Sequence, residues 1–206
     1  MKKRMISLAL ALAMCAAIPA PALASKPSQA STSPASKTFS FDENLILLGT
    51  NALKAGKTES GTLYWNVSPK EFVDAFNSIY GNLFKLDSLK KTKDKNIYTH
   101  KDGKVTLQLH STSSTYSKGK LTKIVLRLDH TTRTSDFETF GLVMAGLITP
   151  FSQYDEKVIL EIVEALGLKN PKSDTDSHTY THKSAKYHMS FNSKKMVLTI
   201  TPVIES

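Results

Sequence analysis

The chain carries one peptide twice. Tyr98-Thr99-His100-Lys101 returns as Tyr180-Thr181-His182-Lys183, and the Lys104 and Ser111 that follow return at the same spacing as Lys186 and Ser193. Between those markers Val105, Leu107 and Leu109 answer to Tyr187, Met189 and Phe191, so an alternating apolar pattern recurs with the peptide. Self-similarity at a fixed spacing reads as an internal duplication, and a period of two specifies strands whose apolar residues share one face. The fold must therefore hold two similar β-hairpins.

The first hairpin contains its own turn signal. Asp102-Gly103 between alternating residues fits a two-residue turn, whose central positions favour residues that tolerate positive φ. Counting back from it predicts that Lys101 pairs with Lys104, His100 with Val105, Thr99 with Thr106 and Tyr98 with Leu107. Tyr98 and His100 then share the apolar side with Val105, Leu107 and Leu109, because cross-strand partners point the same way. A third strand follows over Leu121 to Asp129, with Ile124, Leu126 and Leu128 on one face. In the second copy the strands are expected at His178 to Lys183, Lys186 to Asn192 and Lys195 to Thr201.

Helices are expected ahead of each set of strands. Ser40-Phe41-Asp42-Glu43 has capping-box spacing and opens a segment to about Lys54 that reads as helix or strand. Gly56 to Gly61 reads as a loop, and Thr62 to Val67 as a short strand. Ser68-Pro69-Lys70-Glu71 combines a Ser cap, Pro at the first helical position and Glu at the third, and Phe72, Phe76, Ile79 and Leu83 recur on one helical face. The lysine-rich stretch Lys85 to Lys95 reads as a solvated loop. Ser135-Asp136-Phe137-Glu138 is a second capping box, opening an apolar helix that Pro150 stops. Ser152 is expected to cap a last helix, striped by Val158, Ile159, Ile162, Val163 and Leu166 and ended by Gly167.

The resulting unit is two helices then three antiparallel strands, stated twice. Helices preceding strands in each half predict an α+β fold: a two-layer arrangement, antiparallel β-sheet with helices on one face, built from a tandem ααβββ repeat. Residues 39–131 would be the first repeat and 132–206 the second, with one sheet or two left open. This layout resembles that of the β-lactamase inhibitory proteins, secreted tandem-repeat proteins whose helix-loop-helix units pair with antiparallel sheets. The resemblance implies a concave, protein-binding sheet surface. The chain departs from that family in having no cysteine pairs and fewer strands per unit, and no site residues carry over.

The ends indicate where such a fold would reside. Lys2, Lys3 and Arg4, the apolar run from Ile6 and the Ala22-Leu23-Ala24 site read as a secretory signal over residues 1–24. Residues 25–38, rich in Ser, Pro and Ala, read as a disordered linker. Export to the periplasm or cell envelope, or full secretion, is the expectation. The single cysteine, Cys15, lies in the leader, so the only membrane association foreseen is a lipid anchor there, and the mature core depends on no disulfide. Removing the three leader cations takes the formal charge from +9 to +6, a modest excess that suits acidic partners and falls short of nucleic-acid density.

Catalytic signatures are absent from the sequence. There is no Gly-x-Ser-x-Gly elbow, Walker loop or dinucleotide-binding glycine pattern. His178 and His182 would lie roughly 13 Å apart along an extended strand, too far to share an ion, and no cysteine or acidic cluster accompanies them. Neither a metal nor another cofactor is expected.

The face opposite the helices is the candidate site. It is expected to gather Lys101, Lys104, Thr106, Gln108, His110, Lys123 and Arg127 from the first half, and Lys183, Lys186, His188 and Lys195 from the second, with Asp129 as the one acid among them. The reading is a non-catalytic binding module that uses this basic face to hold an acidic protein or an envelope polyanion. A hydrolase of unrecognised type and a purely structural envelope protein are the alternatives.

Overall fold

In a computed structural model the protein is described over residues 48–87, 89–93, 96–168 and 176–205. The expected leader, the linker and most of the first expected helix lie outside the described residues. Residues 50–53 at the end of that expected helix form turns.

Among the described residues nine strands form one antiparallel sheet, and three helices pack on it, giving the α+β fold that the periodicities predict. The strands are β1 (Ala55–Lys57), β2 (Leu63–Trp65), β3 (Lys90–Lys91), β4 (Ile97–Asp102), β5 (Val105–Ser111), β6 (Leu121–Asp129), β7 (Asp176–His182), β8 (Ala185–Asn192) and β9 (Lys195–Pro202). The helices are α1 (Pro69–Tyr80), α2 (Thr134–Ile148) and α3 (Glu156–Ala165). The sheet order is β3-β4-β5-β6-β9-β8-β7, with β2 joining the start of β6 through Trp65 and Leu121 and β1 pairing on β2. The question of one sheet or two is thus resolved by β6 and β9, which pair from Ile124 with Ile200 to Asp129 with Lys195.

Two loops of the sequence reading are corrected. Gly56 sits in β1 opposite Tyr64, where a Cβ would meet the Tyr64 ring at 2.7 Å, so a glycine admits the close crossing. Lys90 and Lys91 leave the lysine-rich loop to pair with Thr99 and Tyr98.

The hairpin turns are corrected too. Asp102 pairs with Val105, so Gly103 and Lys104 form the first turn, and Tyr98 pairs with Leu109 rather than Leu107. The slip is one residue in each strand, which preserves the faces: Tyr98, Val105, Leu107 and Leu109 are all buried. Gly103 holds the positive φ of 54°, and a Cβ there would lie 2.6 Å from the Asp136 carboxylate. In the second hairpin His182 pairs with Ala185, and the residue equivalent to Gly103 is Lys183, with φ 49°.

The twice-stated peptide is therefore not superposed by the hairpins. Lys183 occupies the turn place of Gly103, so Tyr98 corresponds in position to His178 and His100 to Tyr180, two residues out of step with the sequence match. The pairing is symmetric about a different point. Thr99, Gln108, Val125, Thr199, His188 and Thr179 form one row across the sheet, with Val125 and Thr199 at its centre.

Local capping explains the helices unevenly. The box at Ser68 closes as expected: its hydroxyl accepts from the Glu71 N–H at 3.2 Å and the Glu71 carboxylate accepts from the Ser68 N–H at 2.8 Å. Leu83 lies past the end of α1 and is exposed. The box at Ser135 does not form. The helix starts at Thr134, and Asp136 turns inward to accept from the Thr131 hydroxyl and the Lys104 N–H. Ser152 does not cap α3 either, because its hydroxyl donates to the Thr149 carbonyl; Asp155 takes over, accepting from the Lys157 N–H.

The core lies between the helices and one face of the sheet. Phe72, Phe76, Phe140, Leu147, Ile162 and Leu166 meet Leu107, Leu109, Ile124, Leu126, Tyr187, Leu198 and Ile200, all of them buried. Gly146 lets α2 approach α1, since a Cβ there would fall 2.2 Å from the Phe76 ring. At about 1.5–3 kcal/mol for each large apolar side chain removed from water, this single interior is the dominant stabilising element. Among the described residues, no helix is long and apolar enough to cross a membrane.

Candidate binding face

Alternation along the strands carries the polar residues to the opposite face of the same sheet. Three rows cross it. Ile97 and His110 lead to Lys123, and the register of β6 and β9 carries Lys123 beside Thr201, which pairs with Lys186 and so leads to Thr181. The middle row runs from Lys90 through Thr99, Gln108, Val125, Thr199 and His188 to Thr179. The third runs from Lys101 through Thr106, Arg127, Val197 and Ser190 to Ser177.

Of the expected site residues, Lys101, Thr106, Gln108, His110, Lys123, Arg127, Lys186, His188 and Lys195 do share this face. Lys104 and Lys183 do not. Both stand in turns, and the two turns lie at opposite ends of the sheet, because β4 and β7 occupy opposite sides of the β6–β9 centre. The four lysines that the repeated peptide suggests as one cluster are thus divided. Lys90 joins this face as well: its place in a lysine-rich stretch carries no strand periodicity, yet β3 sets it beside Thr99.

The cations are not equivalent. Arg127 is held by Asp129 two residues along the same strand, and Asp129 also stands opposite Lys195, so this acid balances that end of the face. The row at the other end, with Lys123 and Lys186, contains no carboxylate. Two strand spacings separate those lysines, roughly 10 Å between backbones. His188 lies one row inward, with its Nδ1 3.0 Å from the Thr179 hydroxyl.

The repeated tyrosines and histidines sit on the helix side. Tyr98 is buried, and the His100 Nδ1 meets the Asp87 carbonyl at 2.8 Å. Tyr180 donates to Glu161 on α3 at 2.5 Å, a bond to a carboxylate that raises the phenol above its ordinary range. Burial, then the Lys183 charge, lower the His182 pKa below 6.5, with Glu161 and Glu205 opposing. Tyr187 is fully buried and its hydroxyl has no hydrogen-bond partner in the structure; burial pushes its ionisation far up, and the group stays a neutral phenol. Among the described residues no group of three or more His, Cys, Asp or Glu side chains could hold a metal ion.

No family model, curated protein or solved structure matches the chain.

Proposed function

We propose that the chain is an exported, non-catalytic binding module whose uncovered sheet face holds an extended acidic partner, either an acidic protein segment or an envelope polyanion. The observation that carries the reading is the row with Lys123 and Lys186, which presents two cations in a line across the sheet without a carboxylate among them. Flanking Thr201, Thr181 and His188 supply hydroxyl and imidazole groups able to donate to carboxylate or phosphate oxygens.

The face suits an extended ligand better than a small molecule. Its side chains are spread across strands rather than converged in a cleft, and cations spaced along a line meet the repeating charges of a polymer. Such contacts contribute mainly through long-range attraction and are weakened by salt. The leader read from residues 1–24 and the resemblance of the sequence layout to the β-lactamase inhibitory proteins favour a partner in the envelope or outside the cell. The experiment is retention of the purified protein on immobilised polyglutamate across a salt gradient. Elution at clearly lower salt for Lys123→Glu/Lys186→Glu supports the proposal, and unchanged elution overturns it.

A further inference from the structure

Among the described residues, the two ends of the seven-strand order are built differently, apart from the short β1 that pairs on β2. One edge ends in β3, two residues long and both lysine, and short, charged edges are a standard protection against unwanted strand pairing. The other ends in β7, Asp176-Ser177-His178-Thr179-Tyr180-Thr181-His182, with no lysine, arginine, proline or glycine. All seven residues pair with β8 in unbroken register, so no bulge twists the strand away. Its position is rigidly supported from the helix side. Tyr180 is tied to Glu161 of α3, and His178 lies against Gly167 at the end of that helix, where a Cβ would be 2.5 Å from Nε2. Among the described residues no strand pairs with its outer edge.

We propose that β7 is a homodimer edge, pairing antiparallel with β7 of a second copy about a two-fold axis at Thr179. The composition of the strand is self-complementary in that register. Asp176, whose carboxylate already holds the His178 Nε2 at 2.7 Å within the strand, comes opposite the partner's His182, Ser177 opposite the partner's Thr181, and His178 opposite the partner's Tyr180, while Thr179 meets itself. Hydroxyl pairs and acid-imidazole pairs directly across strands are favourable combinations. The strand carries an acid at one end and a histidine at the other, so antiparallel pairing joins unlike ends at both extremities. An isologous contact of this kind closes after two copies, because the same edge is used up on both partners. The result is one continuous sheet through both molecules, independent of what the free face binds.

Sedimentation of the purified protein over a range of concentrations tests this, with two variants. Thr179 is exposed, so Thr179→Lys gives up only its surface bond to His188 and leaves the interior untouched while setting two lysines against each other across the axis. About tenfold weaker dimerisation is expected for it. In a Cys15→Ser background, Thr179→Cys should give a covalent dimer under mild oxidation, whereas Thr106→Cys, far from the edge on β5, should not. A protein that stays monomeric at every concentration overturns the proposal, for instance because another segment of the same chain covers β7. A dimer indifferent to Thr179→Lys, or one cross-linked through Thr106→Cys and not Thr179→Cys, overturns it as well.

Discussion

The indole N–H of Trp65 donates to the backbone carbonyl of Ser184 across 3.0 Å, although the two residues are 119 positions apart. It joins the β1–β2 hairpin to the turn between β7 and β8. The Ser184 hydroxyl returns the link by donating to the Leu53 carbonyl, and the Trp65 ring packs on Phe151 at 4.8 Å between centroids. The start of the described chain is thereby fastened to the β7–β8 turn inside one core. Ser184→Ala leaves a buried carbonyl short of its donor and should cost about 1–3 kcal/mol, measured by urea denaturation. Trp65→Ala should cost about 3–5 kcal/mol, since it removes the ring as well as the bond.

Gly146→Ala should destabilise the protein despite alanine's better helix propensity. The propensity gain is about 1 kcal/mol, whereas forcing a methyl into the Phe76 ring costs about 1–3 kcal/mol. Phe76→Leu should recover part of the loss, and a double-mutant cycle on thermal or urea unfolding would register that coupling.

Tyr187 offers the opposite sign. Its hydroxyl is buried without a hydrogen-bond partner. Tyr187→Phe removes an unpaired polar group while keeping the ring against Phe151, so stability should hold or rise by about 1 kcal/mol. A loss larger than that would mean that the hydroxyl has a partner.

His182 should make the fold sensitive to acid. Its folded-state pKa is lowered below 6.5, chiefly by burial, so the unfolded chain binds the proton more readily. Its contribution is therefore fully present above pH 6.5 and is lost as pH falls through 6.5 and below, as the unfolded state takes up the proton first. The difference in unfolding free energy between the protein and His182→Gln, followed from pH 7.5 to 5, should narrow on acidification.

Much of this architecture is legible in the sequence, and the failures have particular causes. The Ser68 box and the stripe of Phe72, Phe76 and Ile79 define α1 because cap, proline and periodicity agree there. The strand faces survive a wrong turn because a slip of one residue in each strand conserves parity, so Lys123 and Lys186 are found on the open face either way. The Ser135 and Ser152 caps fail because tertiary bonds compete for the groups involved: Asp136 serves the β4–β5 turn and Ser152 serves the end of α2. The repeated peptide misleads by two residues because Lys183 accepts a left-handed backbone that its sequence does not advertise. Lys90 is hidden because a two-residue strand has no periodicity to read.

If the acid-free row on the open face holds an acidic polymer, calorimetric titration of the purified protein with polyglutamate at low salt registers the binding without a matrix. Lys123→Glu/Lys186→Glu should weaken binding by about tenfold or more, each reversal contributing on the order of 1 kcal/mol, while Lys104→Glu/Lys183→Glu, in turns at opposite ends, should weaken it much less. Equal effects from the two pairs, or no binding by the unmodified protein, would contradict the account.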